Sequence, residues 1–176
     1  MASYPSGVAI VTTTEDGAPY GLTTTAVASV SADPPTLLVC VDLGARTLPV
    51  LRRSGRFVAN FIREGRSDLC LLFASKADDK FEHARWTETA GGLPLLSDDL
   101  VAWAECTVDR ELEIGDHVVL VAEVVDGGVA PTNDAPLMYY RRSWGVWTPA
   151  REPGRPEPMR PIEVGARDLR WHGAEM

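Results

Sequence analysis

Lysine is almost absent from this chain. Among 176 residues only Lys76 and Lys80 are lysines, and the other 15 basic residues are arginines. The 25 acidic residues outnumber them and give a formal charge of −8. An acidic surface without a basic stripe repels a polyphosphate backbone, so nucleic acid is not an expected partner.

Cysteine and histidine are also scarce, with three of each. Cys40, Cys70 and Cys106 are far apart in sequence and have apolar neighbours, which favours buried, inert thiols in a reducing compartment over a metal or redox site. No apolar run reaches the ~18 residues of a membrane-spanning helix, and no basic segment followed by an apolar stretch opens the chain. We therefore expect a cytoplasmic protein that binds no membrane and no metal.

The common catalytic and nucleotide-binding motifs are missing as well. The chain contains no GxGxxG or GxxxxGK[ST], so neither of the usual glycine-rich cradles is available for a nucleotide. GxSxG, HExxH and CxxC do not occur either.

What the chain does have is a series of β-branched and alternating segments. They predict a mainly β fold, an antiparallel, Greek-key-like closed barrel with short helices, because closure hides the edges of so many strands. Two short helices are expected, one capped by Thr47 and ending at Gly55, the other beginning at Ser67 and ending at Ser75. The predicted strands are 8–14, 21–31, 36–42, 56–62, 100–113, 118–129 and 137–144.

The last 28 residues differ in composition from the rest. Residues 149–176 carry five of the 13 prolines, mixed with arginines and acids, and have too little apolar material for a core. We predict one domain over residues 1–148 and a tail over 149–176, which is either disordered or an arm lying across a neighbouring subunit.

Three local patterns suggest a ligand site. Threonine and serine hydroxyls at 23–25, 29 and 31 lie among small residues, which would let a flat ring approach the backbone, although threonine favours strands in any case. Arg46 and Thr47 at a helix start could bind a phosphate, although Thr47 taken alone favours a simple cap. Ser75 and Lys80 could supply further anion contacts. Together the patterns point to a phosphorylated aromatic ligand.

Several segments in register resemble the short-chain flavin reductases, the reductase components of two-component flavin monooxygenases. The opening YPSGVAIVTT is similar to a family motif, and GLT, SVSADPP, CVD through Thr47-Leu48, GRFVAN, FAS with DKF, GLPLL and GDH follow in the family's order. The matches cover residues 4 to about 147. The resemblance implies a split β-barrel that binds FMN or FAD as a homodimer.

The same resemblance assigns roles to individual residues. It places His117, in the GDH turn, near a nicotinamide, as the candidate catalytic residue. Positions 42–47 would reach the ribityl chain and phosphate, and 75–81 would close over the phosphate, with Lys80 as its point charge. The candidate flavin-binding residues are Thr23, Thr24, Thr25, Ala26, Ser29, Val30, Ser31, Asp42, Arg46, Thr47, Asn60, Ser75, Lys80, Phe81 and Trp144.

The implied function is an NAD(P)H-dependent flavin reductase that passes reduced FMN or FAD to a partner monooxygenase. One departure leaves an alternative open. Thr25-Ala26 stands where the family commonly has Asn-Ser, which removes two groups that would bond the flavin's polar rim. The alternative is a flavin carrier, or an enzyme that uses the same pocket for another small aromatic substrate. The sequence leaves FMN or FAD, and NADH or NADPH, undecided.

Overall fold

The computed structural model describes residues 3–148 as a mainly β protein, which confirms the predicted class. The predicted tail, 149–176, lies outside the described residues. The strands are β1 (Ser6–Gly7), β2 (Ala9–Glu15), β3 (Ala18–Thr24), β4 (Val27–Ala32), β5 (Pro35–Asp42), β6 (Arg56–Ile62), β7 (Thr87–Glu88), β8 (Pro94–Leu95), β9 (Leu100–Ile114), β10 (His117–Val129), β11 (Leu137–Tyr140) and β12 (Ser143–Val146). The helices are α1 (Leu48–Ser54), α2 (Ser67–Ala74) and one 3-10 turn (Lys80–Glu82). No helix in the described part is long and apolar enough to cross a membrane.

Turn chemistry explains the first hairpin. Asp16 and Gly17 both have positive φ, 51° and 79°, as a two-residue turn between antiparallel strands requires. The turn joins β2 to β3 in register from Glu15–Ala18 to Ala9–Thr24. The predicted turn before Asp116 is also present, with Gly115 at φ 62°, and it joins the long strands β9 and β10.

The seven-stranded sheet is not a closed barrel, which corrects the sequence-based expectation. Its order is β3-β2-β6-β9-β10-β5-β4, so β3 and β4 are its two edges. The single strand predicted over 21–31 is in fact these two strands, because the chain leaves one edge at Thr25-Ala26 and joins the other. Two hydrogen bonds join this link to Cys40 of β5: Thr24 Oγ1 donates to the Cys40 carbonyl at 3.2 Å, and the Cys40 N–H donates to the Ala26 carbonyl at 2.9 Å.

The sheet is buried on both faces at β2 and β6. Neighbouring residues of β2 face opposite sides, so that Val11 belongs to one apolar cluster and Ile10 to the other. The first cluster includes Leu48 and Leu51 of α1, and the second includes Phe73 of α2. Each fully buried side chain of this size contributes about 2 kcal/mol to folding. The two helices are therefore held on opposite faces.

The last predicted strand, 137–144, is a hairpin of two strands, β11 and β12. Its turn residues, Arg141 and Arg142, have φ of 48° and 61°. Non-glycine residues seldom adopt these values, and two arginines give no turn signal in the sequence. The short strands β1, β7 and β8 were not predicted, since two residues are too few to show a period.

Candidate active site

A groove of about 330 Å³ lies where the end of β3, the end of β5 and the end of α2 meet. These elements belong to three separate stretches of sequence, and the edge position of β3 leaves the groove open to solvent. Eight of the predicted site residues line it: Thr23, Thr24, Asp42, Arg46, Thr47, Ser75, Lys80 and His117. Lys76 lines it too, so both lysines of the chain are here.

The threonine hydroxyls of the groove are already used as donors. Thr23 Oγ1 donates to the Cys70 carbonyl at 2.7 Å, and Thr24 Oγ1 to that of Cys40. Thr24 also accepts the Ala26 N–H at 3.1 Å. A hydroxyl has one proton, so these two side chains can offer a ligand only acceptor oxygens. These acceptor oxygens suit the edge of a ligand ring that carries an N–H.

Thr47 is the N-cap residue of α1, as predicted, but its side chain does not do the capping. Its hydroxyl makes no capping bond but donates to the Gly21 carbonyl at 3.1 Å, and the side chain is buried. The Lys80 ammonium donates to the same carbonyl at 3.3 Å. Gly21 therefore ties β3 to the start of α1 and to the segment after α2. A side chain at Gly21 would lie 2.7 Å from the Phe73 ring, which explains why glycine is needed.

Lys80 is held by the ends of two elements. Besides Gly21, its Nζ donates to the Phe73 carbonyl near the end of α2, at 2.9 Å. Burial, and then the nearby charge of Arg46, lower the pKa of Lys80 below its usual value. An ammonium has three protons, and two are engaged here. The third is available to an anion in the groove.

Arg46 lies on the outer side of this lysine. Its guanidinium forms an ion pair with Asp78 at 2.8 Å and donates to the Lys76 carbonyl. These contacts hold the loop after α2 against the segment before α1. Both side chains of the ion pair are exposed, so it contributes little to stability. Ser75 ends α2, where its hydroxyl donates to the Leu72 carbonyl at 2.7 Å.

His117 stands at the other end of the groove and is half-exposed. Its Nδ1 lies 2.7 Å from Oδ1 of Asp116, and this hydrogen bond is the main cause that lowers the pKa of Asp116. When Nδ1 carries the proton, Nε2 is the nitrogen left for a ligand. Asp42 is the cross-strand neighbour of His117, and its Oδ1 accepts the Gly44 N–H at 2.7 Å.

The carboxylates of Asp42 and Asp116 and the His117 ring each place a ligand atom within 4.8 Å of the others. Both acids are exposed, and such clusters are common without a metal. We assign no metal to them. The cluster gives this end of the groove a polar, negative rim.

Other predicted residues lie elsewhere. Thr25 and Ala26 form the exposed link between the sheet edges and do not line the groove. Ser29 and Ser31 line a different, mostly apolar groove of about 380 Å³ beside β4, and Val30 is 52% exposed. These five residues are therefore not gathered with the other eight in the described chain.

Asn60 and Trp144 are placed away from the groove. Asn60 is fully buried, its amide donates to Ile10 and Thr12, and its Oδ1 accepts the Leu96 N–H. Its polar atoms are thus used in holding the 93–96 segment to the sheet. Trp144 packs on Tyr139 with ring centroids 4.9 Å apart. In this structure Asn60 hydrogen-bonds neighbouring segments together, and Trp144 packs against an aromatic ring.

Phe81 lies beside the groove, not in it. Its ring packs edge-on against Phe73, with centroids 5.0 Å apart, and against Trp86 at 5.8 Å. Phe81 lines a second cavity that adjoins the first. The sequence analysis did not predict this cavity, because its walls combine residues 18–21 and 77–82 with Arg46 and Thr47, which are far apart in the chain.

The contacts above involve the same segments that carry the sequence resemblance. A family model, the flavin reductase like domain, matches residues 1–148. The chain belongs to this family. It is 44% identical over 155 residues to flavin reductase (NADH) of Kitasatospora aureofaciens, covering 87% of this chain and 81% of the relative.

Two further comparisons agree with this family assignment. The chain is 38% identical over 151 residues to the reductase component of a 4-nitrophenol 4-monooxygenase/4-nitrocatechol 2-monooxygenase of Rhodococcus opacus, covering 86% and 80% of the two chains. The crystal structure of nitrilotriacetate monooxygenase component B from Mycobacterium thermoresistibile superposes with a TM-score of 0.81 at 30% identity, over 90% of this chain and 88% of that one. The resemblance to flavin reductases and the assignment as an oxidoreductase are confirmed.

Proposed function

We propose that the groove binds a flavin and a nicotinamide together and that the chain is an NAD(P)H-dependent flavin reductase. The observation that carries this proposal is the meeting of eight predicted residues from four segments in one groove. When both substrates are bound, hydride passes from the nicotinamide to the flavin ring. The protein's task is to hold the two rings face to face, which requires no acid or base.

The two ends of the groove differ in charge, which suggests how a flavin lies in it. Lys80 and Arg46 supply positive charge at one end, which supports a flavin phosphate there. Thr23 and Thr24 offer acceptor oxygens along the wall. His117, oriented by Asp116, contacts the nicotinamide at the other end.

Steady-state kinetics test this arrangement. NADH and NADPH oxidation are measured with FMN, FAD and riboflavin as acceptors. We expect riboflavin to be the poorest acceptor, because it lacks the phosphate that Lys80 and Arg46 bind. Equal rates with all three flavins would contradict the proposed phosphate site. No oxidation with any of them would contradict the proposed reductase activity.

A second candidate, a flavin carrier or an enzyme for another aromatic substrate, is favoured by one observation. Thr23 and Thr24 have no free hydroxyl proton, and Thr25-Ala26 replaces the family's Asn-Ser, so the ring has few donors here. A purified protein that binds FMN but does not consume NADH would support this candidate. Bleaching of FMN under NADH without a partner would exclude it.

The flavin would be shared with a second enzyme. The Rhodococcus opacus relative is the reductase component of a monooxygenase. A flavin-dependent monooxygenase that receives reduced flavin is therefore the partner proposed here. Transfer is tested by supplying the reductase and an oxygenase on opposite sides of a dialysis membrane. Continued product formation would indicate diffusing flavin.

A homodimer is proposed because β4 is an edge strand with an apolar groove beside it. Uncovered edges invite pairing, and Val30 exposes 52% of its surface there. A second copy of the chain would cover this edge and bring Ser29 and Ser31 to a flavin. Light scattering at micromolar concentration should give a dimer. A monomer that reduces flavin at full rate would be the contrary result.

The domain boundary at 148 and the location of the protein are also proposals. Cys40, Cys70 and Cys106 are all free thiols, which supports a reducing cytoplasm. A chain ending at Thr148 should fold with the same thermal midpoint as the full chain. A lower midpoint would place part of the tail within the folded unit.

A further inference from the structure

His117 is carried on the exposed end of a long hairpin. β9 pairs with β6 only as far as Thr107, which lies opposite Arg56, the first residue of β6. Beyond that point, in the part of the chain that the structure describes, residues 109–114 pair with β10 on one side and with no strand on the other, and all of them are exposed. His117 begins β10. Its position therefore depends on how firmly this end of the hairpin is held.

Arg52 of α1 holds the free side of the hairpin end. Its Nε donates to Glu111 at 3.2 Å, and a terminal nitrogen of the same guanidinium donates to Glu113 at 2.6 Å. The helix itself is packed into the core. Among the described side chains, no other one from outside the hairpin makes a hydrogen bond or ion pair with residues 109–114. Arg52 therefore joins the hairpin end to a firmly packed helix.

Arg52 and His117 lie on opposite faces of the hairpin. Glu113 pairs with Val118, which is buried in the same apolar cluster as α1. Successive residues of a strand point to opposite faces, so His117, next to Val118, points away from α1 and lines the groove. Arg52 does not line the groove. Any effect of Arg52 on the groove must therefore pass through the backbone of the two strands.

We propose that Arg52 is a positioning residue for His117, because its bonds to Glu111 and Glu113 fix the hairpin end and thereby the direction of the imidazole in the groove. This inference rests on the proposed function, in which His117 contacts the nicotinamide. A displacement of about 1 Å can slow a step that depends on alignment by ~100-fold. Exposed ion pairs contribute little to folding, so the loss of Arg52 should disturb alignment more than stability.

Arg52→Met is the test variant, because methionine keeps an apolar stem and removes the guanidinium. Arg53→Met is the matched control, since this neighbouring arginine is also exposed but pairs with Glu15 of the first hairpin. Both variants should unfold at similar thermal midpoints. We expect Arg52→Met to lower kcat/KM for NADH ~5-fold and to leave the dissociation constant of FMN within about twofold. Arg53→Met should change neither value.

A double variant tests whether Arg52 acts through the histidine. Once His117→Ala has removed the imidazole, adding Arg52→Met should have no further effect on kcat/KM for NADH. Arg52→Lys keeps a cation that can pair with one glutamate, so it should recover part of the loss seen with methionine. Losses that multiply in the double variant would show that Arg52 acts independently of His117 and would overturn the proposal.

Hydrogen exchange measured by NMR tests the same contact without turnover. Amides of residues 111–119 should exchange ~5-fold faster in Arg52→Met than in Arg53→Met, and the ring signal of His117 should shift. Both changes in a chain that reduces no flavin would support the positioning of His117 and refute only the reductase. Unchanged exchange together with an unchanged His117 signal would overturn the proposal, whatever the activity of the chain.

Discussion

Replacing Lys80 by methionine separates the structural role of this lysine from its proposed role in binding. The change keeps the length of the side chain and removes the ammonium. Lys80 Nζ makes bonds of 2.9 Å and 3.3 Å to the carbonyls of Phe73 and Gly21. Lys76→Met is the matched control, because Lys76 is the only other lysine and lines the same groove.

The expected loss of stability can be worked from these two bonds. A hydrogen bond from a charged donor contributes about 1.5–3 kcal/mol, and the value falls with solvent exposure and with length. Lys80 is half-buried and its second bond is long, so we expect Lys80→Met to lower the free energy of unfolding by about 2 kcal/mol. Lys76 is exposed, and its replacement should cost less than about 0.5 kcal/mol.

The same variant tests the phosphate contact. Losing one partly exposed charge contact to a phosphate should weaken FMN by about 10-fold, or about 1.4 kcal/mol, and leave riboflavin within about twofold. Urea unfolding and flavin fluorescence titration measure the two effects separately. If Lys76→Met weakens FMN while Lys80→Met does not, the phosphate lies elsewhere and Lys80 is only structural.

The pH dependence of FMN binding follows from the same lysine. The pKa of Lys80 is lowered by burial and by Arg46, so in the free protein its proton is lost at a lower pH than from an ordinary lysine. As pH rises through that lowered pKa, FMN should bind more weakly while riboflavin does not. Lys80→Arg should move this loss to higher pH, since arginine stays charged. Parallel profiles for both flavins would contradict the assignment.

Three other predictions concern separate parts of the chain. His117→Ala should raise the KM for NADH or slow hydride transfer by ~10–100-fold in stopped-flow measurements and leave flavin affinity within about twofold, and unfolding of the variant would show a structural role instead. Gly21→Ala should cost about 1–3 kcal/mol in urea, because its Cβ would lie 2.7 Å from the Phe73 ring, and an unchanged midpoint would mean that the ring moves freely. Cys70 and Cys106, whose pKa is raised by burial to about 12, should resist iodoacetamide at pH 8 until the chain is unfolded, as mass spectrometry would show, and labelling of the native protein would contradict their burial.

Local signals in the sequence were sufficient for most elements. Asp16-Gly17 predicted the first hairpin because few residue pairs tolerate two positive φ angles. Gly55 ended α1 in a left-handed conformation as expected, and β6 covers the predicted residues 56–62. Arg141-Arg142 was missed, because the fold imposes positive φ on residues that do not prefer it.

The sequence also contained the family resemblance and most of the groove. The segments around Thr23, Thr47 and Ser75 were singled out by residue type, and they do lie together. Asn60 was chosen for its place in a matching segment, but the hydrogen bonds of its side-chain amide go to other residues of the protein core. Position in a motif does not reveal whether a side chain points to the core or to a ligand.

By itself the sequence determined most of the longer strands, most turns and the family, because each depends on residues close in the chain or on motifs in order. Only the tertiary structure decided that the sheet stays open at β3 and β4, since strand pairing depends on contacts between distant segments. It also decided that Thr47 and Lys80 share the Gly21 carbonyl. That carbonyl lies 26 residues from Thr47 and 59 from Lys80, and no local pattern specifies bonds over such separations.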